Sequence, residues 1–206
     1  MGTIRQIETM LQLALSKEFF GVIALFLTFV AFGPYIHSIQ SGRTRPHVIS
    51  WIIWGVGTTI VFFAQLYDDG GYGAWVIGVS GLITFFIAWL SWFKSGDTSI
   101  TRVDWLFLAL AGLALPLWYL TNSALSAVIV LTVMDLLGFG PSVRKAYKVP
   151  HEESATFFCV GALRNIFVLL ALSHYSWTTT LFPAAVGLAC GLFVLLIMTR
   201  RSMLVD

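Results

Sequence analysis

Seven stretches of about 20 predominantly apolar residues, near 19–40, 47–67, 73–93, 103–121, 123–147, 154–174 and 178–199, account for most of the chain. Each is long enough to cross the hydrocarbon core of a bilayer as a helix. The breaks between them carry turn chemistry, in Asp68-Asp69-Gly70-Gly71, Lys94-Ser95-Gly96-Asp97, Thr121-Asn122-Ser123 and His174-Tyr175-Ser176-Trp177. With 58% hydrophobic and 11% charged residues and a mean hydropathy of +0.86, the 206-residue chain lies far outside the range of a soluble domain. The expected fold class is therefore an all-α membrane protein with seven transmembrane helices.

A net charge of +2 excludes nucleic acid as an expected partner, since the basic residues sit in turns rather than on one helix face. Cys159 and Cys190 lie inside apolar segments and read as small hydrophobes, with no disulfide framework. Over residues 1–18, Ile4, Ile7, Leu11 and Leu15 recur at helical spacing opposite Arg5, Gln6 and Glu8, which suggests an interfacial amphipathic helix. Glu8 and the lack of a small-residue cleavage site argue against a signal peptide. The start also lacks the Ser or Thr of a myristoylation signal.

Orientation follows from the positive-inside rule. Arg43, Arg45, Lys94, Arg102, Arg144, Lys145, Lys148, Arg200 and Arg201 fall on one side and only Arg5 and Lys17 on the other, nine against two. The expected topology is an outside N-terminus and a cytoplasmic C-terminus, in a bacterial inner membrane or another plasma membrane.

The stretch from Gly33 to Trp54 has a degenerate copy from Gly140 to Phe158: Gly-Pro, basic residues, Pro-His, then Ser and aromatics. An offset of 107 pairs Pro34 with Pro141 and Ala64 with Ala171, while 104 pairs Ser50 with Ser154 and Gly57 with Gly161. Helices one to three thus match helices five to seven, and a lone fourth helix gives both copies the same orientation. The domains expected are an interfacial segment (1–18), a first triple-helix bundle (19–93), a linker with the fourth helix (94–122), a second bundle (123–199) and a cytoplasmic tail (200–206). Parallel repeats of this kind commonly enclose a solute site at their interface; the alternative is a repeat kept only as a stable bundle.

This 3+1+3 arrangement, with a proline near the cytoplasmic end of the first helix of each repeat and a short basic turn after it, resembles the PQ-loop and SWEET superfamily of transporters. Pro34-Tyr35 and Pro141-Ser142 stand where the namesake motif has Pro-Gln. The resemblance implies alternating access by rocking of the two bundles, with Pro34, Pro46, Pro141 and Pro150 as hinges. Pro46 and Pro150 also suit the ordinary role of helix-start prolines.

Asp135 is the most informative residue, because a carboxylate inside a transmembrane helix is expensive and marks function by default. Arg164 is its expected partner, at similar depth on the other side of the second turn. The pair reads either as a proton-coupling element or as a structural ion pair between the fifth and sixth helices. Trp51, Trp54 and Thr58 follow at i, i+3 and i+7, and two stacked indoles would offer a platform for a solute ring, unless the tryptophans form an interfacial belt. Phe157, Phe158 and Asn165 are the matching candidates in the second repeat. Neither the third nor the seventh helix carries the asparagine that the sugar transporters place at the substrate. His37, His47, His151 and His174 show no metal-site spacing, and the glycines mark close helix packing rather than a phosphate loop.

The expected function is transport of a small polar solute (sugar, nucleoside- or vitamin-like, or amino-acid-like) by alternating access, proton-linked through Asp135, with the solute and the bilayer as partners and no cofactor. A homo-oligomer is left open. The alternative is a non-transporting receptor or sensor of the same fold, with the basic turns, Glu152 and Glu153 as docking surface. No nucleophile, base and orienting group converge as an enzyme would require.

Overall fold

A computed structural model describes residues 12, 16–42, 46, 48–94, 98, 102–148, 150–152 and 154–203. The amphipathic segment expected before residue 16 lies outside these, Gln12 aside, as do Arg43, Arg45, His47 and Glu153. The described chain is all-α: α1 (Lys17–Gln40), α2 (Val48–Tyr67), α3 (Gly71–Phe93), α4 (Arg102–Thr121), α5 (Ala124–Gly138), α6 (Gly140–Lys148), α7 (Ala155–Ala171) and α8 (Trp177–Met203), with a short 3-10 turn at Pro150–Glu152. Ser16 and Ser154 cap α1 and α7, their hydroxyls accepting from the amides of Phe19 and Phe157 at 3.2 and 3.3 Å. Asp69 and Gly71, with φ of 56° and 62°, make the α2–α3 turn, and Asn122, at 50°, the α4–α5 turn.

Five helices, α1 to α4 and α8, are long and apolar enough to cross a membrane. α5 and α7 are apolar but have 15 and 17 residues, about 23 and 26 Å at 1.5 Å per residue, against a core of roughly 30 Å. The continuous fifth helix expected over 123–147 is instead α5 and α6, broken at Phe139. Gly138 and Gly140 weaken the helix on both sides of the break, and Pro141 has no N–H to return to the carbonyl one turn earlier. Its counterpart Pro34 lies within α1, which continues to Gln40.

Large apolar side chains cover the outside, and small residues stand among Ile53, Ile77, Leu131 and Met134 inside. Phe26, Trp75, Leu82 and Leu188 are all more than half exposed, while the interior is lined by Gly21, Ala24, Ala31, Gly55, Gly57, Gly73, Ala74 and Gly81. Such an apolar exterior is untenable in water and suits lipid, where small interior residues let helices approach closely. The long apolar helices and this surface are those of an integral membrane protein.

Within the bundle α3 packs against both α1 and α2, and α8 against both α5 and α7. α1 rests on α7 and α2 on α5, with α3–α7 and α2–α8 contacts beside them, while α4 packs on α2 and α5. Glycines set the spacing. A Cβ at Gly73 would stand 2.7 Å from the Val168 carbonyl, and one at Gly57 3.0 Å from the Met134 methyl. In α4, by contrast, a Cβ at Gly112 would meet nothing within 4 Å. Gly73→Ala is therefore expected to lower stability by about 1–3 kcal/mol through overpacking, whereas Gly112→Ala leaves it unchanged or raises it by up to about 1 kcal/mol. Thermal unfolding of the two variants in detergent checks the contrast.

Candidate functional site

Arg164 lies midway along α7, only 9% exposed, and its guanidinium reaches across to α1 and α3. Nε donates to Thr28 Oγ1 at 2.9 Å, Nη2 to Ser80 Oγ and to the Val76 carbonyl at 3.4 Å, and Nη1 to Asn165 Oδ1 at 3.5 Å. Thr28 is free to accept because its own proton goes to the Ala24 carbonyl, at 2.8 Å. Asn165, 2% exposed, donates to the Gly161 carbonyl at 2.9 Å and its Cβ fills the space left by Gly187. All four acceptors around the guanidinium are neutral.

The expected direct pairing of Arg164 with Asp135 is not formed. Among the described residues Asp135 has no hydrogen bond or ion pair, although it lies on the inward face of α5 with Ala124, Val128, Leu131 and Thr132. The reason is the packing order. α8 stands between α5 and α7, so α7 meets α1, and Arg164 meets Thr28, the residue that the 107 offset pairs with Asp135.

At the Pro34 end, aromatic rings run continuously across the bundle. Tyr35 and Trp51 are 5.2 Å apart and Trp51 and Trp54 5.5 Å, while Phe32 links Trp51 to Phe157 at 6.4 Å on each side. Phe157 continues to Phe158 at 5.2 Å, and Phe158 packs edge-on to Phe193 at 4.4 Å. The two indoles meet at 88°, so the stacked platform expected at Trp51 and Trp54 is an edge-to-face pair, the arrangement that ring quadrupoles favour. Trp54 directs its indole nitrogen at Gly138, and Thr58 is half-buried beside Gly81. Pro46 and Pro150 are buried just before α2 and at the start of the 3-10 turn.

The opposite end is closed by polar contacts between the α2–α3 and α7–α8 turns. His174 Nδ1 bonds the Asp68 carbonyl at 3.1 Å, and the Ser176 hydroxyl donates to the Asp68 carboxylate. The Ser173 amide bonds the Gly70 carbonyl at 3.2 Å, and Gln65 Nε2 bonds the Thr179 carbonyl at 2.9 Å. Gln65 is fully buried, and its Oε1 has no partner among the described residues. Lys17 Nζ joins from α1, at 3.0 Å from the Leu170 carbonyl and 2.8 Å from the Tyr175 hydroxyl. A recess of about 470 Å³ forms an outward groove between α7 and α8 that includes Asn165, Gly187 and Gly191.

The structure thus gathers Arg164 and Asn165 with Thr28 and Ser80, and places Trp51, Trp54 and Phe158 in a separate aromatic layer. Thr28 and Ser80 were not singled out by sequence, since a hydroxyl in an apolar helix ordinarily bonds its own backbone. Gln65 carried a usable signal, being an amide inside a transmembrane stretch. No group of three or more metal-ligating side chains occurs among the described residues. Comparison with protein families, with characterised proteins and with solved structures gave no match. Thr28→Val removes the Nε acceptor while keeping the side-chain shape, and is expected to cost about 1–3 kcal/mol for the buried N–H it orphans. Thr199→Val, at an exposed site bonded only within α8, is the matched control in the same thermal unfolding assay.

Proposed function

We propose that the chain is a seven-helix transporter of the PQ-loop and SWEET type, built as 3+1+3 parallel repeats, that moves a small polar solute by alternating access. The observation that carries this reading is the symmetry of the packing. In each half the third helix lies between the first and second, α1 meets α7 as α5 meets α2, and the α3–α7 contact is answered by α2–α8. In this reading α5 and α6 together make the fifth span and the two halves are 19–93 and 123–199.

The chemistry of the two ends supports the same picture. An aromatic layer joins the halves at the Pro34 end and hydrogen bonds join them at the Asp68 end. Each closure is small enough to break in turn while the other holds. The Pro34 end is assigned to the cytoplasm from the charge bias, Pro34 and Pro141 serve as hinges, and Trp54, Thr58, Asn165 and Asp135 would line the solute's path in turn as the halves rock. Asp135, inward and unpartnered, is the group suited to carry a proton.

A receptor or sensor of the same fold is the second reading, favoured by the closure of both ends in one state. Reconstitution into liposomes separates the two: the transporter exchanges labelled solute with its unlabelled form, whereas a receptor binds without flux. Proton linkage is tested in the same vesicles. Asp135→Asn is expected to abolish the response of uptake to an imposed pH gradient while leaving exchange measurable; an unchanged response removes the proton role.

A further inference from the structure

Arg164 is surrounded by polar groups but is not neutralised. Among the described residues its acceptors are two hydroxyls, a backbone carbonyl and a side-chain amide, and none carries charge. Dipoles offset only part of the cost of taking a cation out of water; the rest calls for a counter-charge. Of the chain's ten Asp and Glu residues, Asp135 alone lies well inside an apolar stretch, and it makes no ion pair with Arg164. In the packing order α8 lies between the helices that carry the two groups.

The guanidinium also sits where a mobile ligand would be useful. It is the one side chain whose hydrogen bonds tie α7 to both α1 and α3 among the described residues, so it bridges the boundary between the two proposed halves. A planar fork of N–H donors matches a carboxylate or phosphate, which can replace hydroxyl acceptors and supply the missing charge together. A ligand that displaces Thr28 and Ser80 would thereby loosen α7 from the first half. Neutral sugars offer only hydroxyls, which Arg164 already has.

We infer that Arg164 is the anion-binding group of the central site, and that the solute carries a carboxylate or a phosphate. This rests on the proposed solute site between the halves, but it is tested by binding rather than by flux. The purified protein in detergent is heated with lactate, glycine, glycerol 3-phosphate or glucose, and its unfolding midpoint is recorded. At least one of the three anion-bearing solutes should raise the midpoint and glucose should not. Arg164→Gln should abolish the rise, and Arg164→Lys, which keeps the charge without the fork, should weaken binding by about tenfold or more.

Stabilisation by glucose alone, a wild type unmoved by all three anions, or an anion effect that survives in Arg164→Gln would each overturn the inference. So would a double-mutant cycle of Asp135→Asn with Arg164→Gln showing strong coupling without ligand, because Asp135 would then be the counter-charge. Should Arg164→Gln fail to fold, the loss in Arg164→Lys carries the test, and undiminished anion binding in that variant overturns it. Exchange of a neutral solute unaffected by anions contradicts the inference and leaves the transporter reading intact; anion binding at Arg164 without exchange does the reverse.

Discussion

A guanidinium held in the middle of an apolar bundle dictates how the helices around it are arranged. Arg164 cannot turn outward into lipid without exposing its charge to hydrocarbon, so α1 and α3 must bring Thr28, Ser80 and the Val76 carbonyl to it. This requirement places α7 against α1 and α3 rather than against α5. The close approaches follow from the same demand: Gly73 lets α3 come against the Val168 carbonyl, one turn along α7 from Arg164. Hydrophobic burial contributes little orientation in lipid, where a leucine is as comfortable outside as inside, so polar bonds and close packing decide helix order.

The two ends of the bundle are closed by different chemistry. Edge-to-face aromatics at the Pro34 end adapt to sliding and rotation, because ring contacts have broad minima. Hydrogen bonds at the Asp68 end are directional and either form or break, and water at that mouth can replace them when they part. In the transporter proposed above, such unlike contacts would let one side open at a time. Gln65 lies beside the contacts at the Asp68 end, its amide donating to the Thr179 carbonyl.

Much of the helical plan was legible from hydropathy. The expected stretches 19–40, 47–67 and 103–121 correspond to α1, α2 and α4 within two residues, because a 20-residue apolar run has few other solutions. The break at Phe139 was carried by Gly138, Gly140 and Pro141 but was masked by the apolar residues around them. The site was legible only as a set of residue types. Asp135 and Arg164 stood out because charge is rare at that depth, yet their separation depends on α8 lying between α5 and α7, which spacing along the chain does not encode. Thr28, which the 107 offset pairs with Asp135, is in the fold the residue Arg164 holds. Trp51 and Trp54 share a face as the i, i+3 spacing requires, but the angle between their rings is set by Tyr35 and Phe32 on another helix.

The central claim is that two halves rock about a site between them, so the decisive quantity is how the distances at the two ends change together. Spin labels at Asp69 and Trp177 report the polar end, and labels at Gln40 and Lys148 the aromatic end, all at exposed positions. Pulsed distance measurements on the labelled protein in lipid should show two populations at each end, with solute or pH raising the longer distance at one end as it lowers it at the other. A single fixed distance at both ends, or lengthening at both together, would contradict the account.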